Sequence, residues 1–424
     1  MSATRILRGI PTGYSANEKL NVAQIGVTGK GAADLKGVTE AGGNIVALCD
    51  FDEHHLATAA RQFTRAKQHA DFRKMLDSQK DIDAVVVTIP DHQHAVAAMA
   101  AMMRGKHVYC QKPLTHDIYE ARVLRDAARK YKVATQMGNQ GHANEPLRTQ
   151  VDWIRAGVLG QVHDVHLWTN RPIWPQGADR PTDTPPVPTG LDWDLWLGTA
   201  PQRPYSPAYH PFKWRGFWDF GTGALGDMGC HIIDIPFWAL DLGGNCTVEA
   251  ESGGQTLESG PKWSIVTWRF PARGKLVPLV MKWYDGGKLP IQPAGMSDEA
   301  WNDAKEGGVI FIGDKGVMAG SRAKMPNVLG EYGKDLKPPD RTIPTSPGHY
   351  VEWLEACKGG PAAGTNFDYA TPLTETVLLG NLAIRVGKPI AWDSAHMKVT
   401  NHPEANALIR REYRKGWGLD AIEA

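Results

Sequence analysis

This sequence predicts an α/β protein in two parts, a doubly wound parallel sheet followed by a second α/β domain with antiparallel strands. Three observations carry the prediction. The 424 residues exceed what one ordinary core takes up. Up to about residue 140, short strands that are apolar throughout alternate with helical patterns, the signature of a parallel sheet covered on both faces. Beyond about residue 150 apolar and polar residues alternate instead, and all 15 tryptophans lie there, Trp153 being the first.

Asn21–Gly26 (NVAQIG) reads as the first strand, followed by the glycine-rich VTGKG and the helical AADLKGVTEA. Asn44–Cys49 (NIVALC) is a second strand ending on Asp50, with a helix around Glu53 to Phe63. The run DAVVVTI (83–89), the helical HAVAAMAAMMRGK, the strand HVYC, the helical DIYEARVLRDAARKY and the strand KVATQMG complete the first domain. A proline-rich loop, GADRPTDTPPVPTG, then leads toward KWSIVTWRF and LVPLVMKWY, which alternate as half-covered antiparallel strands do. The resulting division is a tail over 1–19, a nucleotide-binding domain over 20–145 and a second domain over 146–424.

With 47 basic against 46 acidic residues, a formal charge of +1 gives no electrostatic reason to expect nucleic acid or an anionic membrane as partner. Five scattered cysteines without a CxxC pair argue against a disulfide framework and a structural zinc site. No apolar run reaches the ~18 residues of a membrane span, and the first twenty residues lack the apolar core of a signal peptide. Cytoplasmic location is expected, or periplasmic if a twin-arginine signal has been removed.

The loop Gly26-Val27-Thr28-Gly29-Lys30-Gly31 lies between a strand and a helix, the context a dinucleotide fingerprint requires. Gly26 allows the tight turn and Gly31 the close helix–strand packing, while backbone amides at the helix start hold a pyrophosphate. Thr28 stands in the middle-glycine slot, and Gly29 beside it compensates. Asp50 ends the second strand, where a carboxylate accepts from the adenosine ribose and repels a 2′-phosphate. NAD is therefore expected in preference to NADP. The segment Thr88-Ile89-Pro90-Asp91-His92-Gln93-His94 leaves a strand end that faces the cofactor, so Thr88, Pro90, His92 and His94 join the candidate cofactor set. His92 and His94 have no close third ligand in sequence, and no metal is expected.

Within GTGALGDMGCHIIDIPFWALDL (221–242), Asp227, His231, Asp234 and Trp238 recur on one helical face, and Met228, Ile232, Ile235 and Ala239 on another. Asp227 and His231 stand one turn apart and can converge on one ligand. Pro236 is expected to kink or tighten this helix. Lys112 follows the strand Val108–Cys110 in VYCQKPL. A lysine, a histidine and a carboxylate together suit oxidation of an alcohol beside a nicotinamide.

These residues resemble the glucose–fructose oxidoreductase/inositol dehydrogenase (Gfo/Idh/MocA) family, from about Leu20 to Asp393. The carriers are GVTGKG, Asp50, TIPDHQH, CQKPL, MGNQGH (137–142) and GALGDMGCHIID. The resemblance implies an N-terminal Rossmann domain and a C-terminal α/β domain with a large, mostly antiparallel sheet that serves homo-oligomerisation as a dimer or tetramer. It implies that Lys112 contacts the reacting hydroxyl, that the Lys112–Pro113 bond is often cis, that Asp227 holds substrate and that His231 is the catalytic base. Asn139 and His142 fall at the approach to cofactor and substrate. Gln111, also assigned to the cofactor site, replaces the glutamate of the family's Glu-Lys-Pro and removes a negative charge beside Lys112.

The expected function is an NAD-dependent oxidoreductase transferring hydride between a nicotinamide and a secondary hydroxyl of a sugar, cyclitol or glycoside. Trp174, Trp214 and Arg215, with Trp168, Trp218, Tyr209 and His210, are candidates to line the sugar pocket beside His142. A second reading is a redox-neutral glycosidase with tightly held NAD, working by oxidation, elimination, hydration and reduction. A third, a non-catalytic sugar or NAD sensor, is disfavoured by the joint presence of Lys112, Asp227 and His231.

Overall fold

The computed structural model describes residues 19–419, so the expected N-terminal tail, Lys19 apart, lies outside the described residues. Strands β1 (Asn21–Ile25), β2 (Asn44–Cys49), β3 (Lys67–His69), β4 (Ala84–Val87), β5 (His107–Cys110) and β6 (Thr135–Met137) form one sheet. Their order is β3-β2-β1-β4-β5-β6 with every neighbour parallel. This is the doubly wound arrangement the apolar strands predict. The alternation overlooks β3, because Lys-Gln-His is a polar, largely exposed edge.

Successive residues of the strands point to opposite faces, and each face has its own cover. Ile25, Val85, Val87 and Cys110 pack in the larger core with the alanine- and methionine-rich helix His94–Met103. Val22, Val86 and Tyr109 pack against Leu35 and Val38 of the helix Lys30–Glu40. The same face also receives Trp353, Leu354 and Cys357 from the helix His349–Cys357, so the chain returns from its second domain to finish the first sheet.

The second sheet comprises β7 (Val162–Thr169), β8 (Cys246–Gly253), β9 (Trp263–Phe270), β10 (Leu279–Tyr284), β11 (Gly307–Gly313), β12 (Gly316–Gly320), β13 (Asn327–Val328), β14 (Ile390–Asp393) and β15 (Lys398–Val399). Its order is β13-β12-β11-β7-β10-β9-β8-β14-β15. Only the β7–β10 pairing is parallel. On its inner face Trp268 donates its indole N–H to Thr376 O at 3.0 Å, pinning the long helix Phe367–Val386. On the outer face Trp168, Tyr284 and Ile310 are covered by Trp301 from the chain's own helix Asp298–Ala304. Trp168, Trp196, Trp268, Trp283 and Trp353 are all fully buried, so packing is the main use of the tryptophan-rich half. No helix of the described residues is long and apolar enough to cross a membrane.

Candidate active site

A cleft of about 450 Å³ opens where β1, β2, β4 and β5 end against the second domain. Gly26 makes the tight turn after β1 with φ 82, and a Cβ there would lie 2.0 Å from Thr88 O. A Cβ on Gly31 would meet Gly26 O at 2.1 Å, so the third glycine permits the helix Lys30–Glu40 to start against the strand. Thr28 does not take a positive φ; the left-handed conformation falls on Gly29 (φ 54), beside which there is open space. That explains how a threonine sits in the middle-glycine slot. Lys30 pairs with Asp34 at 2.7 Å.

Asp50 lines the cleft, its carboxylate fixed by Val27 N and Asp52 N, each at 3.0 Å. The glycine cradle, the helix start and this fixed carboxylate fit a nicotinamide dinucleotide. Asp50→Ser is therefore expected to weaken NAD binding roughly 10–100-fold, the range for losing a charged hydrogen bond. The ratio of KM values for NAD and NADP should narrow in the same measurement.

Lys112 and Asp227 form the centre of the cleft. Lys112 Nζ donates to Asp227 Oδ1 at 2.7 Å and to Asp227 O at 2.6 Å, and the Lys112–Pro113 bond is cis. Burial pushes the Asp227 carboxyl up, but Lys112, with Arg215 and Arg171, outweighs it and holds the group below the usual carboxylate range. His94 secures the lysine turn from behind: its Nδ1 faces Pro113 O and its Nε2 faces Ile89 O, both at 2.8 Å. His94 thus borders the cleft as a positioning residue, together with Thr88 and Pro90.

His231 lies one turn beyond Asp227 on the helix Gly223–Ile232, and its ring lines the same cleft. Its Nδ1 is buried with no hydrogen-bond partner among the described residues. Burial first, and then the charges of Lys112, Arg322 and Lys30, hold its pKa well below the ordinary value. Trp214 and Arg215 reach the cleft, the Arg215 guanidinium 4.4 Å from the Trp214 ring. His210 also borders it.

Gln111 lines the cleft but gives its amide to Asp34, donating to both carboxylate oxygens at 2.9 and 3.1 Å. Asp34 also accepts from Thr88 Oγ1 at 2.8 Å and Tyr350 OH at 2.6 Å. A glutamate at 111 would put a second carboxylate against this buried one, so the departure from Glu-Lys-Pro answers to Asp34.

Other expected site residues stand elsewhere. His92 is fully buried, with ring nitrogens on Phe220 O, Trp196 O and Leu197 O, and burial and the Arg411 charge push its pKa down to about 3. It joins the domains and does not line the cleft. Asn139 donates to Asp234 Oδ2 at 2.9 Å, and His142 Nδ1 meets both Asp234 oxygens at 3.1 Å while stacking on Trp238. The helix breaks at Ile233, one turn upstream of Pro236, which has no N–H for the Ile232 carbonyl. Asp227 and His231 thus serve the cleft while Asp234 and Trp238 serve a buried network with Tyr369. Trp174 is buried and donates to Gln176 Oε1, and Tyr209 packs on Phe217 and Phe220. Trp168 lies on the outer sheet face, and Trp218 lines a different cavity.

Sequence reasoning overlooked Asp34, Asp91, Trp196, Arg171 and Arg322. Asp91 accepts from Thr222 Oγ1 at 2.7 Å across the domains, and burial raises its pKa. Lys30 and Asp34 at helical spacing were a legible pair; Tyr350, far along the chain, was not. Among the described residues only Asp52, His55 and His210 have ligand atoms grouped closely enough for a metal. His55 there has ion-pair partners in Asp50 (3.9 Å) and Asp52 (3.7 Å).

Residues 20–139 match the Gfo/Idh/MocA oxidoreductase family's NAD-binding Rossmann fold, and residues 164–283 its C-terminal alpha/beta domain. Levoglucosan dehydrogenase of Pseudarthrobacter phenanthrenivorans is 26% identical over 179 residues, 42% of this chain and 38% of that protein. Inositol 2-dehydrogenase 2 of Saccharopolyspora erythraea is 36% identical over 153 residues, 35% of this chain and 45% of that protein. This chain thus spans less than half the length of either of these curated relatives. The WlbA dehydrogenase of Bordetella pertussis, solved with NADH and UDP-GlcNAcA, superposes with a TM-score of 0.62 at 16% identity, covering 88% of this chain and 99% of that one. Levoglucosan dehydrogenase with NADH and levoglucosan gives 0.59 at 18% identity, covering 88% and 99%. Such identities speak for the fold alone. On the two matched domains and the fold they form, the chain belongs to the Gfo/Idh/MocA oxidoreductase family, with an NAD-binding Rossmann domain and a C-terminal α/β domain.

Proposed function

We propose that this chain is an NAD-dependent oxidoreductase acting on a secondary hydroxyl of a sugar, cyclitol or glycoside. The observation that carries the reading is the Lys112–Asp227 pair at 2.7 Å with His231 in one cleft beside the glycine loop. The levoglucosan and inositol relatives support a polyhydroxylated substrate.

NAD, when bound, supplies the hydride acceptor. Lys112 Nζ donates to the substrate oxygen and offsets the negative charge that grows there as the hydroxyl proton leaves. His231 takes that proton; a neutral imidazole is required, and its depressed pKa keeps it neutral at pH 7. Asp227 aims Lys112 and accepts from a neighbouring substrate hydroxyl. A homo-oligomer using the outer face of β8 and β9, where Glu249 and Arg269 pair at 2.7 Å, fits the part of the sheet that the chain does not cover itself.

His231→Asn is expected to lower kcat/KM about 10²–10⁴-fold, the usual range for a general base. In the unsubstituted protein kcat/KM should rise with pH through a limb lying below pH 6.5, because the folded pKa is depressed. A pH–rate profile with that limb at or above 6.5 would count against His231 as base. The reaction class is tested by following NADH absorbance and aglycone release together on a panel of sugars, inositols and glycosides. Net NADH that depends on added NAD supports the proposal; aglycone release without net NADH overturns it in favour of redox-neutral cleavage.

A further inference from the structure

We infer that the substrate carries an anionic group, a carboxylate or phosphate ester on the sugar or cyclitol, and that Arg171 and Arg322 hold it. The inference rests on the oxidoreductase reading of the same cleft and narrows its substrate class. Five cationic side chains line the cleft: Lys30, Lys112, Arg171, Arg215 and Arg322. The chain as a whole is nearly neutral, with 47 basic and 46 acidic residues, so this concentration is local.

Three of the five have carboxylate partners within the protein. Lys30 pairs with Asp34 at 2.7 Å; Lys112 and Arg215 share Asp227, at 2.7 and 3.7 Å. Arg171 and Arg322 form no ion pair with a carboxylate among the described residues; the one side-chain hydrogen bond from Arg171 goes to the neutral amide of Asn170. The two are close enough that the charge of Arg171, after burial, lowers the pKa of Arg322. Two guanidinium groups at the wall of a cleft, sharing only Asp227 beyond ion-pair distance, a carboxylate that Lys112 already holds, make a costly arrangement that a bound anion relieves. Arginine forks match carboxylate and phosphate oxygens in a bidentate way that a neutral hydroxyl cannot. The cofactor's own anion has a separate provision in the glycine loop and the start of the helix Lys30–Glu40.

The full chain, loaded with NAD, is titrated by calorimetry with D-glucose, D-glucuronate and D-glucose 6-phosphate, and NADH is followed in parallel. At least one acid is expected to bind tenfold or more tightly than the neutral sugar, with an advantage that shrinks as salt rises. Arg171→Gln and Arg322→Gln should each weaken that acid roughly 10–100-fold and collapse the discrimination, with Arg322→Lys intermediate. Preference for glucuronate or for the phosphate ester identifies which anion the forks fit.

Equal binding of the neutral sugar, no binding of either acid, or variants that weaken NAD and not the acid would each overturn the inference. Arginine-dependent binding of an acid without any NADH would overturn the oxidoreductase reading and leave the anion site standing. Oxidation of neutral and acidic sugars alike would do the reverse.

Discussion

Lys112→Ala is expected to lower kcat by roughly 10³-fold or more while NAD affinity stays within about a factor of two. Among the described residues the Lys112 side chain is the only one that donates to Asp227, through two hydrogen bonds of 2.6 and 2.7 Å. Its removal takes away the charge opposite the reacting oxygen and the partner that orients Asp227. Arg215, 3.7 Å from the carboxylate, and Arg171 are then left to oppose the burial of Asp227, and they oppose it less. The same change removes the ammonium charge that, after burial, most depresses His231, so the residual activity should show its acid limb at higher pH than the parent. A drop in kcat with an unmoved limb would mean that Lys112 acts on the oxygen but not on the histidine, and an unchanged kcat would discard both roles. NAD binding, read by fluorescence quenching, separates this chemistry from a collapse of the cofactor site.

Gln111→Glu carries the second large effect, this time on stability. It would place a carboxylate where the amide now donates to both oxygens of the fully buried Asp34. Two such carboxylates cannot both ionise freely at that separation, so the introduced glutamate keeps its proton above the ordinary carboxylate range, a cost of roughly 3–4 kcal/mol at pH 7. The sign follows from linkage. A carboxyl whose folded pKa is raised leaves the folded state binding more protons than the unfolded one, so the penalty is full above that raised pKa. It fades as pH falls toward the unfolded value near 4. Urea unfolding at pH 7 and pH 5 should show the gap to the parent closing at the lower pH. A gap of constant size would discard the account, and Asp34→Asn combined with Gln111→Glu should restore most of the loss.

Local pattern made much of this protein legible. The apolar strands and glycine loop specify the first sheet, and the four-residue spacing of Asp227 and His231 places both on one cleft wall. The same spacing misled beyond Ile233, where the helix breaks and Asp234 turns to His142 and Asn139. His92 and Trp174 lie away from the cleft for a related reason. Strand ends and aromatic loops at a domain junction are needed both for ligands and for joining the domains, and sequence does not separate the two uses. Arg171 and Arg322 come from distant segments, and only the folded chain sets them together.

The helix His349–Cys357 lays Trp353 on the sheet face that holds Tyr109, more than half the chain length after it. During synthesis, then, all six strands of the first sheet leave the ribosome before part of the cover for one of their faces has been translated. The nascent nucleotide domain passes through a stage with that face only partly covered, by the helix Lys30–Glu40, and with apolar surface exposed around Tyr109, the kind that chaperones hold and that aggregates when overproduced. A fragment ending at residue 145 should therefore be insoluble, and native structure in the N-terminal half should appear only after residue 357 has cleared the exit tunnel.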